Sequence, residues 1–172
     1  FNPYNYQTGS VWPHDNAIIA MGFKLYGFAA EAARIAHDVS VAASHFLLNQ
    51  LPELYTASER TESNFPVQYI GANVPQAWAA GSVFMLIQAL LGFFPDAPRK
   101  KLYVDPALPL WLPDLTVRDL RIGKHKLDMR FWREGGETAF EVTKGDASLV
   151  ERCNVSAELA RFRPAGSDTG HG

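Results

Sequence analysis

Two carboxylates stand out in the sequence for the company they keep. Glu53 lies in Leu51-Pro52-Glu53-Leu54-Tyr55 at the mouth of a long irregular stretch, where apolar neighbours can partly desolvate a carboxyl group and so tune its pKa. Asp15 lies in Tyr4-Asn5-Tyr6-Gln7-Thr8-Gly9-Ser10-Val11-Trp12-Pro13-His14-Asp15-Asn16, which gathers three aromatic rings, a Thr-Gly-Ser turn and a dense set of polar side chains. That mixture suits a polyhydroxylated ligand, because sugar faces stack on aromatic rings while hydroxyls need planar amides and carboxylates as partners. Trp12 and Trp78 are the candidate stacking platforms, with Tyr6 and Tyr55 behind them, and Gln7, His14 and Gln76 are candidate hydroxyl contacts. A plainer reading stands beside this one: the aromatic loop packs on itself, its amides brace the backbone, Trp78 belongs to a core helix, and Glu53 is a solvated loop glutamate. Glu59, Arg60 and Glu62 read as exposed charge, with Arg60 within reach of such a pocket.

The elements that must position these residues are legible from periodicity. Pro13 suits the first position of a helix, and Ile18, Ile19, Gly22, Phe23 and Tyr26 follow the helical period, so a first helix is expected over Pro13–Tyr26 with Gly27 as its left-handed stop. A second is expected from about Ala29 to Leu48, where Ala32, Ile35, Ala36, Val39, Ala42, Ala43 and Phe46 make a core stripe. A third, Pro75–Leu91, is apolar almost all round and reads as a buried core helix rather than a membrane span. The connection from Leu51 to Val74 is of a length that is usually functional. Beyond Phe93 the pattern changes to a proline-marked extended connector, Leu102–Leu115. Four strand segments follow, Thr116–Ile122, Lys126–Arg133, Thr138–Thr143 and Ala147–Arg152, separated by glycine turns, as in an antiparallel meander. Three regions are therefore expected: helical over 1–94, connector and strands over 95–153, and a disordered tail over 154–172.

Composition narrows the function. Of 172 residues, 47% are hydrophobic and 20% charged, with a net charge of −2, so the chain has the make-up of a globular domain and lacks the basic surface that nucleic acid requires. The five histidines show no metal-ligand spacing, and neither a phosphate loop nor a dinucleotide fingerprint is present, so neither metal nor organic cofactor is expected. Cys153 is the single cysteine; it excludes an internal disulfide and is compatible with a reducing compartment, and the location expected is cytoplasmic.

Three motifs in order, Gly9-Ser10-Val11-Trp12-Pro13-His14-Asp15-Asn16, Leu51-Pro52-Glu53-Leu54-Tyr55 and Pro75-Gln76-Ala77-Trp78-Ala79-Ala80-Gly81, resemble the C-terminal part of bacterial amylo-alpha-1,6-glucosidase and glycogen-debranching-type glycoside hydrolases. The resemblance implies a mainly α fold with a C-terminal antiparallel β region: three long helices of an (α/α)6 barrel followed by a β-meander. It implies a carbohydrate substrate of α-linked glucose type, hydrolysed with inversion, with Glu53 as general base and Tyr6, Gln7, Trp12, His14, Asp15, Gln76 and Trp78 in the sugar pocket. Family members carry the general acid on an earlier helical pair. The chain, which opens on Phe1, is therefore expected to be a C-terminal portion of a longer protein, inactive by itself and self-associating through an exposed helical face. Asp15 then holds a sugar hydroxyl or caps the helix start. The alternative is a non-catalytic carbohydrate-binding or structural segment. Two departures affect the pocket wall: Thr56-Ala57 replaces a Cys-Gly-like turn, and Asn73 replaces a cysteine.

Overall fold

A computed structural model describes residues 1–59, 61 and 63–157. Arg60, Glu62 and residues 158–172 of the expected tail 154–172 lie outside the described residues; at the tail's start Val155 is buried and its N–H reaches Asp105 Oδ2 at 3.3 Å. The chain divides into two compact units, one of Phe1–Phe23 and Ala29–Leu90, the other of Lys24–Phe28 and Leu91 onward.

The first unit holds the helices. Helix α1 spans Pro13–Leu25, with Pro13 at its first position as its missing N–H permits, and Gly27 follows at φ +88°. The face it buries is not the one its large residues mark. Ala17 and Ala20 are fully buried, whereas Ile18 and Ile19 are half exposed. Helix α2 spans Ala29–Ala43 and buries Ala32, Ala33, Ala36, Ala42 and Ala43. It stops five residues short of the expected Leu48: Phe46 is already extended, and Leu48 and Asn49 take positive φ in a short 3-10 turn, Leu47–Asn49. Helix α3 spans Ala77–Leu91. Apolar almost all round and expected as a core helix, it buries one stripe, Ala79, Ser82, Leu86, Ala89 and Leu90, and exposes Val83 and Phe84, the latter by 76%.

The long connection between α2 and α3 is built around the segment Leu51–Tyr55, every residue of which is buried. Its main chain is pinned on two sides. Tyr55 and Val11 exchange N–H···O bonds of 2.8 and 3.0 Å, while Tyr69 N–H reaches Leu54 O (3.1 Å), Thr56 N–H reaches Val67 O (2.9 Å) and Glu53 N–H reaches Asn73 O (3.0 Å). Buried backbone must find such partners, and here three remote stretches supply them. Leu51 and Tyr55 then pack with Ala42, Ala43 and Ala79 in one core cluster, against which Val39 and Phe46 lie.

The second unit carries two three-stranded sheets. Strands β1 (Phe94–Asp96), β2 (Lys101–Val104) and β6 (Val150–Arg152) form one, with β1 antiparallel and β6 parallel to β2. Strands β3 (Asp114–Ile122), β4 (His125–Glu134) and β5 (Glu137–Lys144) form the other, an antiparallel meander with β4 in the middle. Leu127, Met129 and Phe131 alternate inward along β4 and are fully buried, the period-two pattern of a half-buried strand. Asp119 interrupts β3 at a bulge, where its N–H bonds Asp128 Oδ1 at 2.9 Å. The segment Ala147–Arg152 does not extend the meander. Asp146 accepts the Ser148 N–H and caps a 3-10 turn over Ala147–Leu149, so only the last three residues are strand, and they pair in the other sheet.

The expectation of a mainly α fold, three long helices of an (α/α)6 barrel, is thereby corrected. Helix accounts for 34% and strand for 26%, in two small sheets. The helices are about 20 Å each, and α2 ends at Ala43, where the chain turns toward the buried segment Leu51–Tyr55. The proline-marked connector, expected to be merely extended, supplies strand β2. Among the described residues no helix is long and apolar enough to cross a membrane.

Candidate functional site

The pinning of Leu51–Tyr55 leaves Glu53 at a bend, 5% exposed, with its carboxylate held from both ends. Tyr6 Oη–H donates to Oε1. Asn73 donates twice to Oε2, from its backbone N–H at 3.1 Å and from its side-chain Nδ2 at 3.0 Å. The Tyr6 hydroxyl, above all, and then the Asn73 N–H hold the carboxyl below its ordinary pKa, because both stabilise the charged form. The same bond raises the Tyr6 phenol, which gives up its proton less readily beside an anion. Glu53 is therefore ionised through the neutral range. Of about four lone-pair sites on a carboxylate, three are occupied, and the remaining one lies on Oε1.

Aromatic rings gather beside this carboxylate. Tyr6 meets Trp12 edge-on at 4.9 Å between centroids and Tyr69 at 5.6 Å. Trp12 in turn meets His14 at 5.5 Å and Trp78 at 6.1 Å. His14 stacks on one face of Trp78, 4.5 Å away and within 13° of parallel. The first turns of α1 and α3 position this pair, since His14 and Trp78 are each the second residue of their helix. With one face covered by His14, Trp78 still keeps 49% of its surface exposed, which leaves indole area available for stacking.

The other residues singled out from the sequence take different places. Asp15 is exposed, and its described partner is His14 Nε2 at 3.1 Å. Gln76 Oε1 accepts the Trp78 N–H at 2.9 Å and so closes the entrance of α3. Gln7 is exposed; its N–H meets Asn5 Oδ1 at 3.4 Å, and nothing described joins its side chain to the cluster. Tyr55 does not stand behind the platform. The bend at Glu53 sends it into the core against Phe46, where its hydroxyl has no described partner and burial pushes its pKa up to about 12. Two residues that the sequence did not offer, Tyr69 and Asn73, complete the site. Asn73 was visible as a departure from the expected cysteine; Tyr69 carried no signal. Among the described residues no group of three or more His, Cys, Asp or Glu is placed to hold a metal ion.

The arrangement makes a testable statement about pH. Glu53 has a lowered folded pKa, so the stabilisation it brings is complete above the ordinary glutamate value of about 4.3 and is lost as pH falls through the lowered folded value. Tyr6→Phe removes the largest cause of the shift. Carboxyl titration by NMR should show the Glu53 pKa rising toward the ordinary value in Tyr6→Phe, and an unmoved pKa would contradict the assignment of that bond.

No protein-family model matches the chain, and no curated protein matches it. The site is therefore read from its own chemistry.

Proposed function

We propose that this chain carries the sugar platform and the base carboxylate of an inverting glycoside hydrolase acting on α-linked glucose-type oligosaccharides or glycogen-like branches. One observation carries the reading: a nearly buried, ionised glutamate, with one lone-pair site left, sits at the edge of an aromatic cluster whose outermost indole is half exposed. Glu53 would accept the proton of the attacking water through Oε1, while the ring of Trp78, steadied by His14 and Trp12, would take the sugar face. Tyr6 and Asn73 orient the carboxylate, and a cytoplasmic location belongs to the same reading.

Glycoside hydrolysis by inversion needs a second carboxyl group about 6.5–9.5 Å from the first. Asp15 is exposed and paired with His14 Nε2 at 3.1 Å. We therefore assign the general acid to a segment outside this chain. By itself the chain should bind maltooligosaccharides and release no glucose. Glucose release that is abolished by Asp15→Asn would reinstate Asp15 as the acid and overturn the assignment. A specific observation also favours the non-catalytic alternative: the three hydrogen bonds on Glu53 are those of a carboxylate that braces a loop. The two readings part on whether Glu53→Gln affects turnover.

A further inference from the structure

Tyr55 lines a cavity of about 290 Å³ whose described lining includes none of the proposed sugar residues. Its walls are apolar: Val11, Ile35, Val39, Ala42, Phe65 and Val67. Its polar groups share one property, which is that they accept hydrogen bonds. Asp38 and Glu59 contribute carboxylates, and no lysine or arginine is found among the described lining residues. Asn16 gives one of its two side-chain N–H groups to Trp12 O at 2.8 Å, and its Oδ1 has no described partner. Thr56 and Ser58 hydroxyls are 3.0 Å apart and bond each other. Tyr55, 6% exposed, has a hydroxyl without a described partner.

Asp38 is only loosely neutralised by its own helix. Arg34 Nε stands 4.0 Å from Oδ2 and is 84% exposed, and His37 Nδ1 stands 3.5 Å from Oδ1. Exposed pairs of that kind contribute little and leave most of the carboxylate's field in place. An apolar slot of this size, near the lower end of small-molecule pockets, whose described lining offers acceptors and two carboxylates and no lysine or arginine, selects a ligand that brings its own positive charge.

We propose that this cavity is a second binding site, separate from the sugar platform, for a small organic cation: an ammonium group on an aromatic or branched aliphatic body. The body fills the space between α2 and the chain at residues 65–67, and the ammonium faces Asp38 and Glu59. The complementarity of charge chooses this occupant over an apolar acid or a neutral hydrocarbon of equal volume.

The test uses three probes of matched shape, phenethylammonium, 3-phenylpropionate and 3-phenylpropanol, titrated into the whole chain and followed by amide chemical shifts. Phenethylammonium should bind with shifts centred on Val39, Ala42 and Val67, and the propionate should bind at least about tenfold more weakly. Asp38→Asn should reduce the preference for the cation about two- to fivefold, the worth of one partly exposed charge pair. Ile35→Trp, at a half-buried wall position, should abolish binding with circular dichroism unchanged, and Ala42→Phe provides a second obstruction if that variant fails to fold. Equal or tighter binding of the propionate, shifts located elsewhere, undiminished binding in the obstructed variants, or no binding of any probe would each overturn the proposal.

Discussion

Glu53→Gln should lower turnover by about 10²–10⁴-fold, the usual worth of a positioned general base, in an enzyme that joins this chain to the segment carrying its acid. Glutamine keeps the shape of the side chain; with its amide oxygen toward Asn73 it keeps those two bonds, its NH2 then faces the Tyr6 hydroxyl as a donor, and it cannot take a proton from water. Sugar affinity should change little, because the lost interaction forms in the transition state and not in the ground state. The rate should also lose its acid limb. With Glu53 as the proposed base, that limb should lie below the ordinary glutamate range, since the Tyr6 hydroxyl and Asn73 hold the carboxyl down. Near-normal turnover with weakened binding would make Glu53 a substrate clamp, and near-normal values of both would favour the non-catalytic alternative.

The second large effect concerns stability. Lys24 is 4% exposed, and its Nζ lies 3.3 Å from Asp105 Oδ2, which also receives the Val155 N–H at 3.3 Å. Asp105 keeps 30% exposure. The two partners are thus unequal: without the lysine, Asp105 can turn to water, whereas without the aspartate the ammonium is left buried and unpaired. Asp105→Ala should cost about 3–5 kcal/mol, the penalty of stranding a buried charge. Lys24→Met, of similar length and apolar, should cost about 1 kcal/mol or less, because replacing a buried charge with packed hydrocarbon is often close to neutral. Urea denaturation followed by circular dichroism measures both. Equal costs, or a loss below about 1 kcal/mol for Asp105→Ala, would show that the pair is effectively solvated.

The sequence was legible where local rules decide and silent where remote pairing does. Pro13 and Gly27 bracket α1, and the alternation of Leu127, Met129 and Phe131 marks β4, because these signals act within a few residues. The end of α2 was not marked: Ser44 and His45 carry no strong stop, and the break is made by Phe46, Leu48 and Asn49, whose conformations are those of a chain turning toward the buried segment at Leu51. Strand β2 hid among prolines because Lys101–Val104 is only four residues long. The buried face of α1 was misjudged because Ile18 and Ile19 outweigh Ala17 and Ala20 in any hydrophobicity count, although the alanines are the buried pair. In the site, Tyr6, Trp12 and Trp78 lie together, and His14, expected as a hydroxyl contact, stacks on Trp78. The grip of Asn73 on Glu53 depends on the main-chain bond between those two residues, twenty positions apart, which no local pattern encodes.

The central claim, that the cluster around Glu53 is a sugar site, is tested most directly by titrating the whole chain with maltotetraose and following intrinsic tryptophan fluorescence. The account predicts a saturable change with a dissociation constant at or below the millimolar range, about −4 kcal/mol or better. The affinity should be retained in Glu53→Gln and weakened at least about tenfold in Trp12→Ala and Trp78→Ala, which remove the rings. A linear, unsaturable response, or one that survives both tryptophan substitutions, would contradict it.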